Sequence, residues 1–181
     1  MQKLKKWNLV SASLLVLISI LSGCSSEASK FPQDLGSALV IREGVSGGTV
    51  SVPSSWVLEG SDGGGSGSMS TWINPSNKNE WVAFTAGMSL SLWYVGDNVA
   101  DIDPSGLLPD SAIINRVDAK IFEFSYPGKE AYPKSPYEIQ GVFIAELDDE
   151  GYPLDYLMLE ISTLNKGLAK EIIAAKEPSL Q

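Results

Sequence analysis

Residues 137–161 read YEIQGVFIAELDDEGYPLDYLMLEI. Val142-Phe143-Ile144-Ala145 is apolar at every position, and Leu154 to Ile161 is nearly so. Strands that are apolar on both faces belong inside a sheet covered on both sides. Between the two runs lies Asp148-Asp149-Glu150-Gly151, whose glycine accepts a positive φ without steric cost. The stretch predicts two adjacent antiparallel strands, with Leu157 in a central position. After Ser162-Thr163, Leu164, Leu168 and Ile172 recur every four residues, the spacing of one helix face, up to Lys176. Ser162 or Thr163 suits the cap of that helix, and Pro178 stops it.

Working back from this unit, Ala119 to Tyr126 predicts a strand with Phe122, Phe124 and Tyr126 aligned, ended by Pro127-Gly128. Met69 to Asn74 and Glu80 to Met88 predict two strands around the turn formers of 74–79. Ala38 to Arg42 and Thr49 to Pro53 predict two short strands on either side of Gly47-Gly48. Residues 61–68, SDGGGSGS, predict a flexible loop, because glycine loses the most entropy on ordering. Ser89 to Ala100 is ambiguous: Leu90, Trp93 and Tyr94 fall at helical spacing. Strands followed by a terminal helix, with an ambiguous central segment, predict an α+β domain, an antiparallel sheet with helices packed on its faces.

The N-terminus obeys different rules. Lys3, Lys5 and Lys6 precede a mostly apolar run from Trp7 to Leu21, which closes on Leu21-Ser22-Gly23-Cys24. A cationic start, a short apolar stretch and small residues make a secretion signal. The run is too short and too interrupted, by Asn8, Ser11, Ser13 and Ser19, for a spanning helix of about 20 apolar residues. Leu21-Ser22-Gly23-Cys24 resembles the lipobox of bacterial lipoproteins. That resemblance implies a diacylglyceryl group on Cys24, cleavage between Gly23 and Cys24, and handling by the lipoprotein-processing enzymes. The expected organisation is a signal peptide at 1–23, a lipidated flexible tether at 24–37, and a single domain at 38–181. The expected location is a cell membrane, with the domain on the extracytoplasmic side.

Of 13 basic residues three precede residue 24, while all 22 acidic ones follow it. The chain from Cys24 onward thus carries ten basic and 22 acidic side chains, a formal charge of −12. Such a domain repels nucleic-acid phosphates and anionic lipid headgroups. Attachment then falls to the acyl chains, at about 0.8 kcal/mol per buried methylene. Cys24 is the sole cysteine and histidine is absent. A disulfide framework within the chain, Ser–His–Asp and Cys–His catalysis are therefore impossible, and zinc has no ordinary ligand set. No cofactor is expected.

Thr49 to Lys176 resembles the PsbP-like domains. Val50-Ser51-Val52-Pro53-Ser54-Ser55-Trp56 is similar to their opening strand, Gly141 to Ile161 to their long hairpin, and Leu164 to Ala175 to their closing helix. The resemblance implies an α/β/α sandwich and a role in binding or assembly, with no catalytic residues to carry over.

Three features bear on a site. Asp101-Ile102-Asp103-Pro104-Ser105-Gly106 resembles the first half of a calcium loop, but position twelve is Ala112 where a bidentate Glu is needed. An Asp-rich turn is expected there, and no metal. Trp93 and Tyr94 are the expected contact for an unknown protein partner, because aromatics are enriched at interfaces, whereas Trp56 is assigned to the core. Asp148-Asp149 and Glu146 with Glu160 are the candidate carboxylate pairs for hydrolysis, which would need to face one another across a cleft. The reading that follows is a non-enzymatic, membrane-anchored lipoprotein that binds a protein partner or assists envelope assembly. The alternative is a module for a small ligand or a carbohydrate.

Overall fold

The computed structural model describes residues 38–44, 48–64, 67–88, 102–147, 149 and 153–176. All of them fall in the second of the two units into which the chain divides, Met1–Gly36 and Ser37–Gln181. In chain order the strands are β1 (Leu39–Glu43), β2 (Thr49–Pro53), β3 (Val57–Gly64), β4 (Gly67–Asn74), β5 (Asn77–Met88), β6 (Ile113–Arg116), β7 (Ile121–Pro127), β8 (Glu138–Leu147) and β9 (Pro153–Ser162). A helix, α1 (Lys166–Lys176), follows. Strands β1 and β2 form a separate two-stranded sheet. The other seven form one antiparallel sheet in the order β3-β4-β5-β9-β8-β7-β6.

The hairpin at 137–161 sits where its two-sided hydrophobicity requires, with β9 and β8 near the middle of the large sheet. Period-two alternation sends its side chains into two cores. Trp81, Phe122, Phe124, Tyr126, Phe143 and Tyr156 pack on one side, here called the aromatic face. Val82, Phe84, Val142, Ile144, Leu159 and Ile161 pack on the other, under α1 and the β1–β2 hairpin. The fully buried leucine of β9 is Leu159, while Leu157 is only half-buried.

The architecture corrects the expected α+β class. The fold is mostly antiparallel sheet, and among the described residues one α-helix packs on one face. The aromatic face is instead covered by Ile102, Leu108 and Ala131, from irregular segments holding only 3-10 turns at Pro104–Leu107 and Gly128–Glu130. Proline explains this: Pro104, Pro109, Pro127, Pro133 and Pro136 interrupt both segments and deny them a continuous helical ladder. The second helical layer implied by the PsbP-like resemblance is therefore missing from the described residues. Residues 89–100, where a central helix was ambiguous, lie outside them.

Two local expectations also change. The glycine-rich run is a hairpin rather than a loop, because β3 continues to Gly64, β4 begins at Gly67, and Asp62 pairs with Met69. Each glycine in a strand costs about 0.5–1 kcal/mol. The ladder that β4 propagates from β5 offsets this at the sheet edge. The helix cap is Asn165, whose Oδ1 accepts from the Gly167 and Leu168 amides at 3.0 and 3.2 Å. Ser162 and Thr163 are committed elsewhere: Ser162 Oγ donates to Asn79 O at 2.6 Å and Thr163 Oγ1 to Glu80 Oε1 at 3.0 Å. The buried helix positions are Ala169, Ile172, Ile173 and Lys176, and Leu164, 61% exposed, stands before the helix. At the far end, buried Lys176 donates from Nζ to Thr49 O at 2.9 Å and lies 4.9 Å from the Phe84 ring centre. Burial lowers its pKa, opposed by the nearby Glu146 carboxylate. The bond to Thr49 ties α1 to the β1–β2 hairpin.

Candidate functional site

Among the described side chains of the strands, the aromatic face holds one carboxylate. Glu160 on β9 stands between Ala83 on β5 and Gly141 on β8, two small neighbours that leave it room. The Tyr126 hydroxyl donates to Glu160 Oε1. The surrounding rings are packed in pairs, Phe124 on Tyr126 with centroids 6.1 Å apart and Phe143 on Tyr156 at 5.4 Å. Burial raises the Glu160 pKa, and the Tyr126 hydrogen bond partly offsets this by favouring the charged form. Both tyrosines are pushed upward too, first by burial and then by the Glu160 charge. Glu146, proposed as its partner, pairs with Asp155 and points to the opposite face of the sheet. Ala145 opposes Tyr156 on the aromatic face, so its chain neighbour Glu146 must face away. Glu146 and Glu160 do not flank a common cleft.

This carboxylate has a consequence for stability. Its folded pKa lies above its unfolded one, so the folded state binds a proton that the unfolded state releases. Stability from this group is full below the ordinary carboxylate pKa and is lost as pH rises through the raised value. Denaturant melts between about pH 4 and pH 8 are expected to show a downward slope that Glu160→Gln flattens, with the variant the more stable at neutral pH. Parallel curves for the two proteins would show that Glu160 is not held in its neutral form. Tyr126→Phe, which removes the donor, is expected to cost about 1–3 kcal/mol at neutral pH.

On the other face α1 covers only part of the sheet. Its main contacts are with β2, β8 and β9, and among the described residues no other helix lies over β7 and β6. Beside it runs a groove of about 530 Å³. Its floor is cross-strand pairs, Asn115 opposite Glu123 and Ser125 opposite Gln140, and its wall is Lys170, Ile173 and Ala174 of α1. Ser125 and Gln140 are half-buried, and Asn115, Glu123 and Lys170 are exposed. None of these five polar side chains has a hydrogen-bond or ion-pair partner among the described residues. At one end the walls meet, where Lys166 Nζ stands 3.1 Å from Glu138 Oε2. The groove is thus a concave, polar surface with free donors and acceptors of both charge signs.

No protein family, curated protein or solved structure matches this chain. The site must be judged on its own chemistry. Gly23, Cys24, Trp93 and Tyr94 lie outside the described residues, as does Asp101. Asp103 is described: its Oδ1 accepts from the Ser105 amide at 2.9 Å and caps the 3-10 turn, as expected of an Asp-rich turn. Among the described residues no three His, Cys, Asp or Glu side chains come together as a metal site. Trp56, Trp72 and Trp81 are all buried in the cores.

The groove was missed in the sequence because its residues come from three strands and a helix, and each alone looks like an ordinary solvated side chain. A faint signal existed in β7, where Glu123 and Ser125 alternate with Phe122, Phe124 and Tyr126. That pattern marks the strand's second face as polar and uncovered.

Proposed function

We propose that this chain is a lipid-anchored lipoprotein whose domain stands on the extracytoplasmic side of a cell membrane and binds a small polar ligand, without catalysis. The anchoring half is supported by the sequence at Leu21-Ser22-Gly23-Cys24 and the apolar run before it. No helix among the described residues is long and apolar enough to cross a membrane. The binding half is supported by one observation: the groove beside α1 gathers five polar side chains, without partners among the described residues, around a volume within the range of about 300 to 1,000 Å³ of ligand sites. Capture of a protein partner through Trp93 and Tyr94 would rest on residues outside the described ones, and the groove favours the small-ligand alternative.

Each half has its test. Cys24→Ala is expected to abolish incorporation of labelled fatty acid and to move the protein out of the membrane fraction. A variant that keeps the label would rule out the lipoprotein reading. For binding, the full chain purified in detergent is exposed to a total small-molecule extract, washed, denatured, and its released compounds identified by mass spectrometry. Enrichment over a Ser125→Arg, Gln140→Arg variant, whose long side chains fill the groove and whose melting confirms its fold, is expected. Equal release from both proteins would remove the groove as the binding site.

A further inference from the structure

We propose that the groove takes a small zwitterion, its carboxylate against the Lys170 ammonium and its ammonium against the Glu123 carboxylate. This rests on the reading of the groove as the binding site and adds the chemistry of the ligand.

Lys166 and Lys170 are four residues apart on α1 and therefore share one side of it. Lys166 reaches the sheet and pairs with Glu138 of β8. The other carboxylate in the groove's lining is Glu123, which stands one strand further out, on β7. No ion pair closes that gap, so the groove holds an anion on its floor and a cation on its wall. A molecule carrying both charges completes the pair across it. A simple anion would satisfy Lys170 while facing Glu123 and the −12 field of the chain from Cys24 onward. A simple cation would satisfy Glu123 while facing Lys170 and Lys166. Asn115, Ser125 and Gln140 supply both donors and acceptors, which suits ammonium and carboxylate alike. Free α-amino acids and short peptides have this chemistry.

The test melts the full chain in detergent with each common L-amino acid, glycylglycine and alanylalanine, at about 10 mM. A ligand with a Kd of about 0.1 mM is expected to raise Tm by about 5 °C or more. The N-acetylated and C-amidated forms of the same compound are expected to lose that rise. Glu123→Gln and Lys170→Met, both on exposed side chains, are each expected to weaken binding about tenfold or more while leaving the ligand-free Tm unchanged. If blocked forms bind as well as free ones, or if maltose or cellobiose binds with sensitivity to Ser125→Arg while no amino acid or dipeptide does, the zwitterion is wrong and the groove stands. If none of these probes binds and the extract experiment also returns nothing, both readings fall.

Discussion

Phe143→Ala is expected to cost about 3–5 kcal/mol and to lower Tm by roughly 10 °C. The ring is fully buried at the middle of β8. It meets Phe122 edge-on at 6.0 Å and stacks on Tyr156 at 5.4 Å, so its loss removes two ring contacts as well as buried area. Aromatic pairs contribute about 0.5–1.5 kcal/mol each beyond the area they bury. The cavity cannot collapse easily, because the neighbours are anchored to strands on both sides, β7 and β9. Ile113→Ala serves as the control: 64% exposed on the edge strand β6, it is expected to stay within about 0.5 kcal/mol of the parent. Urea melts of the two variants measure the difference. A loss under about 1 kcal/mol for Phe143→Ala would mean that the aromatic face is not a packed core.

The same residues show what sequence can and cannot disclose. Hydrophobicity on both faces is a local property, so Val142-Phe143-Ile144-Ala145 announced a central strand and the structure puts it there. Period-two alternation likewise exposed β2 and β7. Composition misled at SDGGGSGS, because glycine disfavours a strand in isolation and cannot report the ladder supplied by a neighbour. Spacing misled at the helix start. Leu164 has helical periodicity with Leu168, but Thr163 is held by Glu80, and Asn165 begins the helix beyond it. The helices expected on both sheet faces are not found among the described residues, where one helix packs on one face and the other face has an irregular cover. Proline-rich segments can cover a face with irregular chain. The groove and the Tyr126–Glu160 bond depend on strand order and register, which no single stretch encodes.

Glu160 and the groove lie on opposite faces of the sheet, and Gly141 belongs to the surroundings of both. It opposes Glu160 in the β8–β9 ladder, and it lines the groove beside Gln140. Its lack of a side chain lets Phe124 lie against the strand, and Phe124 in turn stacks on Tyr126, the donor to Glu160.

Gly141→Ala is therefore expected to be among the most damaging single substitutions, at about 3 kcal/mol or more. A methyl group here would lie 2.3 Å from the Leu159 carbonyl oxygen and 2.3 Å from Cζ of Phe124. The first obstacle is the backbone of β9, fixed by pairing to β5 and β8, so it cannot retreat without opening a central ladder. The second is a buried ring, whose displacement would also move Tyr126 away from Glu160. Gly87→Ala is the informative comparison. Its methyl would come closer still, 2.0 Å from the Tyr156 ring, but the three nearest atoms all belong to that side chain. That ring can rotate aside at the expense of its stacking on Phe143, about 0.5–1.5 kcal/mol. The shorter contact is thus expected to give the smaller loss, because what decides the cost is whether the obstacle can move. Urea denaturation of both variants tests the order. Equal costs, or a greater cost at Gly87, would show that the β8–β9 backbone yields to a methyl group more readily than the Tyr156 ring does.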